Sequence, residues 1–178
     1  MKHPQTTTVS FTVLLLIISP LDVATVRIQP PYTIVPIPGK GFGAIATRNI
    51  DIGTLLIEEA PLFSVTNRKP WFQPSESFVN DAMERTIHSL STTEQTQFYN
   101  LHGYIPNVSE EDAMKSKLVP TALQIYSTNA YPMGPDRSGI FPLISRLNNE
   151  CTPNVHYNYD ERRQCATIHA ISPITQGR

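Results

Sequence analysis

Ile144-Ser145-Arg146-Leu147-Asn148-Asn149-Glu150-Cys151-Thr152-Pro153-Asn154 is the stretch on which the reading of this chain turns. On residue chemistry alone, Asn148 and Asn149 admit two uses. They cap a turn ahead of Pro153, or they offer amide and backbone groups to a ligand. Downstream, Val155, Tyr157 and Tyr159 alternate with polar residues, and Asp160 to Gln164 turn the chain. Ala166, Ile168 and Ala170 resume the alternation, with Cys165, Thr167 and His169 on the other face. The pattern predicts a β-hairpin.

About a hundred residues upstream, Pro38-Gly39-Lys40-Gly41-Phe42-Gly43 forms a glycine-rich turn. No Ser or Thr follows the Gly-Lys pair at the spacing of a phosphate-binding loop, and the turn does not open a helix. Strands are expected on both sides of it. Tyr32 to Ile37 reads as an edge strand, because Pro36 has no amide to donate. Gly43 to Thr47 and Leu55 to Glu59 read as strands around an Asp51-Ile52-Gly53 corner, with Leu62 to Val65 as a further short one. Ala46 to Thr54 and Ala170 to Arg178 share Ala, Ile and Gly at matching offsets. After the first copy an apolar strand follows, and the second copy predicts the same beyond Arg178. Between the two β-rich parts, Phe78, Val79, Ala82, Met83, Ile87 and Leu90 recur at helical spacing. Ser91-Thr92-Thr93-Glu94 is a capping-box pattern for a second helix, with Gly103 as its expected left-handed terminator. Ser109 to Asp112 opens a third, kinked at Pro120 and running towards Tyr126.

The segment from Ile144 to Asn154 resembles the Arg-Phe-x-Asn-His-Ser-Cys-x-Pro-Asn signature of the SET-domain family of protein methyltransferases. Arg146, Asn148, Cys151, Pro153 and Asn154 match it. The turn at Gly41 and Gly43 and the Ala-x-x-Asn-Ile-x-x-Gly corner after it resemble that family's opening motif, and Ser127-Thr128-Asn129-Ala130 is similar to the lead-in of fungal members. The resemblance covers about residues 32–178. It implies an α+β, β-rich SET-type fold of small twisted sheets, with a helical insert over about 70–126. It also implies S-adenosyl-L-methionine in a cleft between the glycine turn and the Asn-rich segment. Lys40, Gly41, Phe42, Asn148 and Asn149 are then the cofactor-binding candidates, with Phe42 packing either on the cofactor or in the core. The acceptor implied is the lysine side chain of a protein.

Departures from the pattern set further expectations. Asn149 stands where the family has His, and Glu150 where it has a small residue, which predicts weakened cofactor binding. Cys151 matches a Cys that shares zinc with a later Cys-rich segment in several subfamilies; without such a segment no metal is expected. The family's closing Glu-rich strand and active-site Tyr are not among these residues. Tyr126, Tyr131, Tyr157 and Tyr159 read as hairpin and core aromatics, so no catalytic residue is assigned. The expectation is a C-terminally truncated member, inactive as given. The alternatives are a non-catalytic SET-like binding module and a secreted SET-derived protein.

Bulk properties narrow the remaining classes. With 40% hydrophobic and 16% charged residues, the 178-residue chain buries a core and has the length of one domain. Fourteen Lys and Arg against 15 Asp and Glu give a net charge of −1, so no basic field favours nucleic acid. Cys151 and Cys165 are too few for a disulfide scaffold and are expected as free thiols. Phe11 to Ile18 is apolar but far shorter than the roughly 20 residues of a membrane span. Residues 1–26 read as a signal peptide or as an unrelated leader, and Asn107-Val108-Ser109 is a glycosylation acceptor only in the first case.

Overall fold

The computed structural model describes residues 29–37, 41–66, 75–148 and 151–178. The apolar run Phe11 to Ile18, Lys40, Asn149 and Glu150 lie outside them.

Among the described residues, three small antiparallel sheets carry the fold. Tyr32–Ile37 (β1) pairs with Gly41–Ala46 (β2) across the glycine turn, with Pro36 opposite Phe42. Leu55–Glu59 (β3) and Val155–Asp160 (β7) flank Cys165–Ala170 (β8) in the order β3-β8-β7. Phe63–Thr66 (β4) and Ala130–Pro132 (β5) flank Arg137–Ile140 (β6). The hairpin pairs Tyr159 with Ala166 and Asp160 with Cys165 around Glu161 to Gln164. Its second strand departs from simple alternation: Cys165, Thr167 and Ala166 are all buried. As the central strand, β8 has a neighbour on each edge and is covered on both faces, so the polar face that alternation suggests is not solvated.

The helices follow their caps. Ser75 accepts from the Phe78 amide at 3.2 Å and starts Glu76–His88 (α1). Ser91 and Glu94 form the expected capping box of Thr92–Tyr99 (α2). The third predicted helix is in fact two. Glu110–Ser116 (α3) ends at Lys117, whose φ of 52° is left-handed, and Thr121 with Gln124 caps a separate Ala122–Asn129 (α4). A left-handed residue followed by Pro120 and a fresh capping box breaks the helix where a kink was expected. Gly103 is not the terminator of α2 either, since Asn100 caps that helix in a right-handed conformation. Glycine is required there for space: a Cβ would sit 2.6 Å from Cβ of Pro120 and 2.9 Å from Cγ1 of Ile125.

The internal repeat has a structural counterpart. The two copies lie antiparallel against each other about Ile50 and Ile174, which form a β-bridge. Ala46 donates to Arg178 at 2.8 Å, and Ala170 donates to Thr54 at 3.0 Å, at equal distances along the chain on either side of the bridge. Gly53 and Gly177 adopt matching φ of 83° and 85°, and Ala46, Ile50, Ala170 and Ile174 form one small core. The letters shared by the copies are those that close the contact.

Two larger cores complete the domain. Ile87, Phe98, Ile125 and Tyr126 pack with Phe63 between the helices and the sheet of β4. Phe141, Ile144, Ile57, Met133 and Ile168 fill the second, under the Asn-rich segment. Among the described residues no helix is long and apolar enough to cross a membrane.

Candidate functional site

The Asn-rich segment is aimed by the 3-10 turn Ile144–Arg146, which follows β6 after only three residues. Ile144 is fully buried in the Phe141 core and fixes the turn from below. Ser145 donates from its amide to Phe141 O at 2.8 Å and from its hydroxyl to Asn129 O at 3.3 Å. Arg146 reaches across to donate to Asn100 O at 2.9 Å. From β3, both oxygens of Glu59 accept backbone amides, Oε1 from Leu143 and Oε2 from Ile144, each at 2.9 Å. Burial raises the Glu59 carboxyl pKa, and those two hydrogen bonds offset that only partly.

Beyond the turn, Leu147 is extended and Asn148 swings against β2. A Cβ at Gly43 would collide with Nδ2 of Asn148 and with the side chain of Ile37. Glycine is what lets the carboxamide lie on the strand, so the glycine turn and the Asn-rich segment meet despite their separation in sequence. Around this contact opens a cavity of about 780 Å³, lined by Ile37 and Ala44 on the two arms of the turn and by Asn148, Asn154, Thr152 and Arg178. Its size lies within the ~300–1,000 Å³ of small-molecule sites.

Aromatic residues form another wall. Tyr32, Tyr131 and Tyr157 line the cavity. The Tyr131 and Tyr157 rings lie 4.9 Å apart, and the Tyr157 hydroxyl donates to Pro132 O at 2.8 Å. Burial raises the pKa of all three phenols; the Glu59 charge adds to this at Tyr32, and neighbouring Tyr159 and Tyr131 add to it at Tyr157. They therefore stay protonated at neutral pH. Tyr126 and Tyr159 lie elsewhere, bonded to Ser138 and Gln164.

Of the five candidates read from the sequence, Asn148 lines the cavity, and Gly41 opens β2 without lining it. Phe42 is half-exposed and turned to Arg146, whose guanidinium carbon lies 5.2 Å from the ring centroid. That cation–π contact is a third arrangement, neither core nor cavity wall. Lys40 and Asn149 lie outside the described residues. Sequence reasoning missed Glu59, Tyr32 and Tyr131 as neighbours of the site. Asn154 it quoted within the signature without giving it a role. Among the described residues no cluster of three or more His, Cys, Asp or Glu is placed to hold a metal ion; Cys151 is exposed and Cys165 buried.

The family model of the SET domain matches residues 41–178, a span that contains Gly43 and Asn148. The chain belongs to the SET domain family. The chain is 31% identical over 148 residues to the histone-lysine N-methyltransferase set5 of Schizosaccharomyces pombe, across 82% of its length. The match spans 39% of the length of that relative. Among solved structures, a Plasmodium falciparum protein described as a candidate histone methyltransferase aligns with a TM-score of 0.43 at 12% identity, over 85% of this chain and 90% of that one. The α+β arrangement of small antiparallel sheets and helices is that of a SET-type fold.

Proposed function

We propose that this SET domain holds S-adenosyl-L-methionine between the glycine turn and the Asn-rich segment, and that its parent activity is methylation of a protein lysine. The observation that carries the reading is the contact between Gly43 and Asn148, with Asn148 on the wall of the cavity. It brings a carboxamide with two donors and an acceptor to a strand whose backbone a polar ligand can approach. Lys40, Gly41, the backbone of Phe42, Asn148 and Asn149 are the proposed contacts, joined by Asn154. Electron-rich faces of Tyr32, Tyr131 and Tyr157 suit a cationic sulfonium better than a neutral ligand. When bound, the cofactor supplies an electrophilic methyl group. The chain's own share is to orient it and keep water away.

In this reading the site binds the cofactor and no phenol at the cavity serves the transfer. Supporting this, the phenols at the cavity act as walls: the Tyr131 and Tyr157 rings pack tilted against each other, and the Tyr157 hydroxyl is committed to a backbone carbonyl. Methyl transfer requires donor, acceptor and orienting oxygens within about 3–3.5 Å and in line. Isothermal titration of the protein with S-adenosylmethionine should give one-to-one heat with a Kd tighter than about 1 mM, or about −4 kcal/mol. A methyl-transfer assay on histone lysines with the same sample should stay at background. No heat at millimolar cofactor would reject the site, and clear turnover would reject the non-catalytic half of the reading.

A further inference from the structure

The strongest unassigned chemistry in the molecule is the carboxylate of Glu59. It stands on β3, opposite Ala166 in the register, and reaches 84 and 85 residues along the chain to the amides of Leu143 and Ile144. Those are the amides that open the 3-10 turn, where no side chain within the turn supplies a cap. An uncapped turn leaves such donors without partners. Here a carboxylate from a distant strand takes both, one per oxygen, in charge-assisted bonds that fix direction as well as distance.

The placement carries a desolvation cost alongside the two bonds it forms. Burial of the ionised group outweighs the two bonds it accepts, as the raised pKa shows. A well-packed apolar side chain would avoid that penalty but would leave the Leu143 and Ile144 amides unpaired. What the carboxylate provides is geometry. Glu59 lines a smaller recess with Arg146, Asn100 and Gln97 on one side of the turn. On the other side lies the main cavity, whose Tyr32 is near enough to feel the Glu59 charge. The turn between them carries Leu147 and then Asn148, whose Nδ2 rests on Gly43. Asn148, the proposed cofactor contact, stands four residues after Ile144.

We infer that Glu59 is a positioning residue, clamping the Leu143 and Ile144 amides so that Asn148 is presented to the cavity. The inference rests on the proposed cofactor site for its functional consequence, but the clamp itself is readable without cofactor. In Glu59→Gln one acceptor oxygen becomes an NH2 that faces an amide donor, so one bond is lost with little change in volume. In Glu59→Asp the shorter arm cannot reach both amides.

The test uses the whole chain, labelled with nitrogen-15, in wild-type, Glu59→Gln, Glu59→Asp and Asn80→Ala forms. Asn80 accepts the Leu123 amide at 3.1 Å, far along the helices, and serves as a control for general loosening. Without cofactor, both Glu59 variants should shift the amide signals of Leu143 and Ile144 and the side-chain NH2 pair of Asn148, which Asn80→Ala leaves in place. With cofactor, calorimetry should show about tenfold or weaker binding for Glu59→Gln, a smaller loss for Glu59→Asp, and none for Asn80→Ala, in keeping with the ~10- to 100-fold effect of misplacing a contact group. Asn148 signals unmoved while those of Leu143 and Ile144 shift would overturn the inference. So would wild-type affinity in either Glu59 variant. If wild type itself gives no heat, the cofactor reading fails and the shifts without cofactor still decide the clamp. Should Glu59→Gln not fold, the Glu59→Asp shifts decide it.

Discussion

Phe141→Ala is expected to cost about 3–5 kcal/mol of folding stability, the range for deleting a buried aromatic ring. Phe141 is fully buried at the end of β6, with its ring 6.1 Å from that of Tyr157 at 69° and 6.2 Å from that of Tyr159 at 60°. It joins β3, β8 and the 3-10 turn in one core, through Ile57, Ile168 and Ile144. No rotation of a neighbour fills the volume of a phenyl ring, so a cavity term adds to the lost transfer energy. Against a total stability of roughly 5–15 kcal/mol, such a loss leaves the domain marginal. Urea unfolding followed by tyrosine and tryptophan fluorescence measures it. A change below about 1 kcal/mol would mean that the core under the site is not packed as described.

Gly43→Ala should separate binding from folding. The new methyl group collides with Nδ2 of Asn148 and the tip of Ile37, both ends of rotatable side chains. They can swing away, which holds the stability cost to within about 1–2 kcal/mol. The swing takes the Asn148 amide off the strand, however, and cofactor affinity should fall by about 10- to 100-fold. Titration calorimetry and a thermal melt on the same sample give both numbers. Unchanged affinity would show that the Asn148 amide makes no cofactor contact. A collapse in stability would show that Asn148 and Ile37 are locked by neighbours instead of free to turn.

Much of this architecture was legible because it is local. Ser91 with Glu94 announces a helix start through a three-residue hydrogen-bond pattern, and the Val155, Tyr157, Tyr159 alternation announces a strand. The shared letters of Ala46 to Thr54 and Ala170 to Arg178 announced a corner, and each glycine there takes the same left-handed turn. What the letters do not carry is the way those corners face each other, since pairing of distant segments leaves no periodicity in either. The break at Lys117 was hidden for a related reason: nothing about a lysine advertises a left-handed φ, and Pro120 alone suits a kink as well as a boundary. β8 misled because alternation describes a strand with one wet face, whereas neighbours on both edges and packing on both faces bury Thr167 and Cys165.

At the site the same division holds. Asn148 and the glycine turn were found because the residues of each motif stand close together in sequence. Phe42 could be placed near the site but not oriented, because its partner Arg146 lies a hundred positions away. Glu59 gave no signal: in sequence it is one of two glutamates ending a strand. Glu58 beside it makes a surface ion pair with Arg163, and Glu59 turns inward to the Leu143 and Ile144 amides. Which of two neighbouring carboxylates points into a fold is settled by strand pleat and register, and those are fixed by pairing with β8.

Nuclear magnetic resonance on the labelled chain during titration with S-adenosylmethionine tests the shared hollow most directly. The amides of Phe42 and Gly43 and the backbone and side-chain signals of Asn148 and Asn154 should move together, saturating with one dissociation constant. Shifts confined to the helices between Glu76 and Asn129, or two stretches responding with unrelated constants, would contradict it.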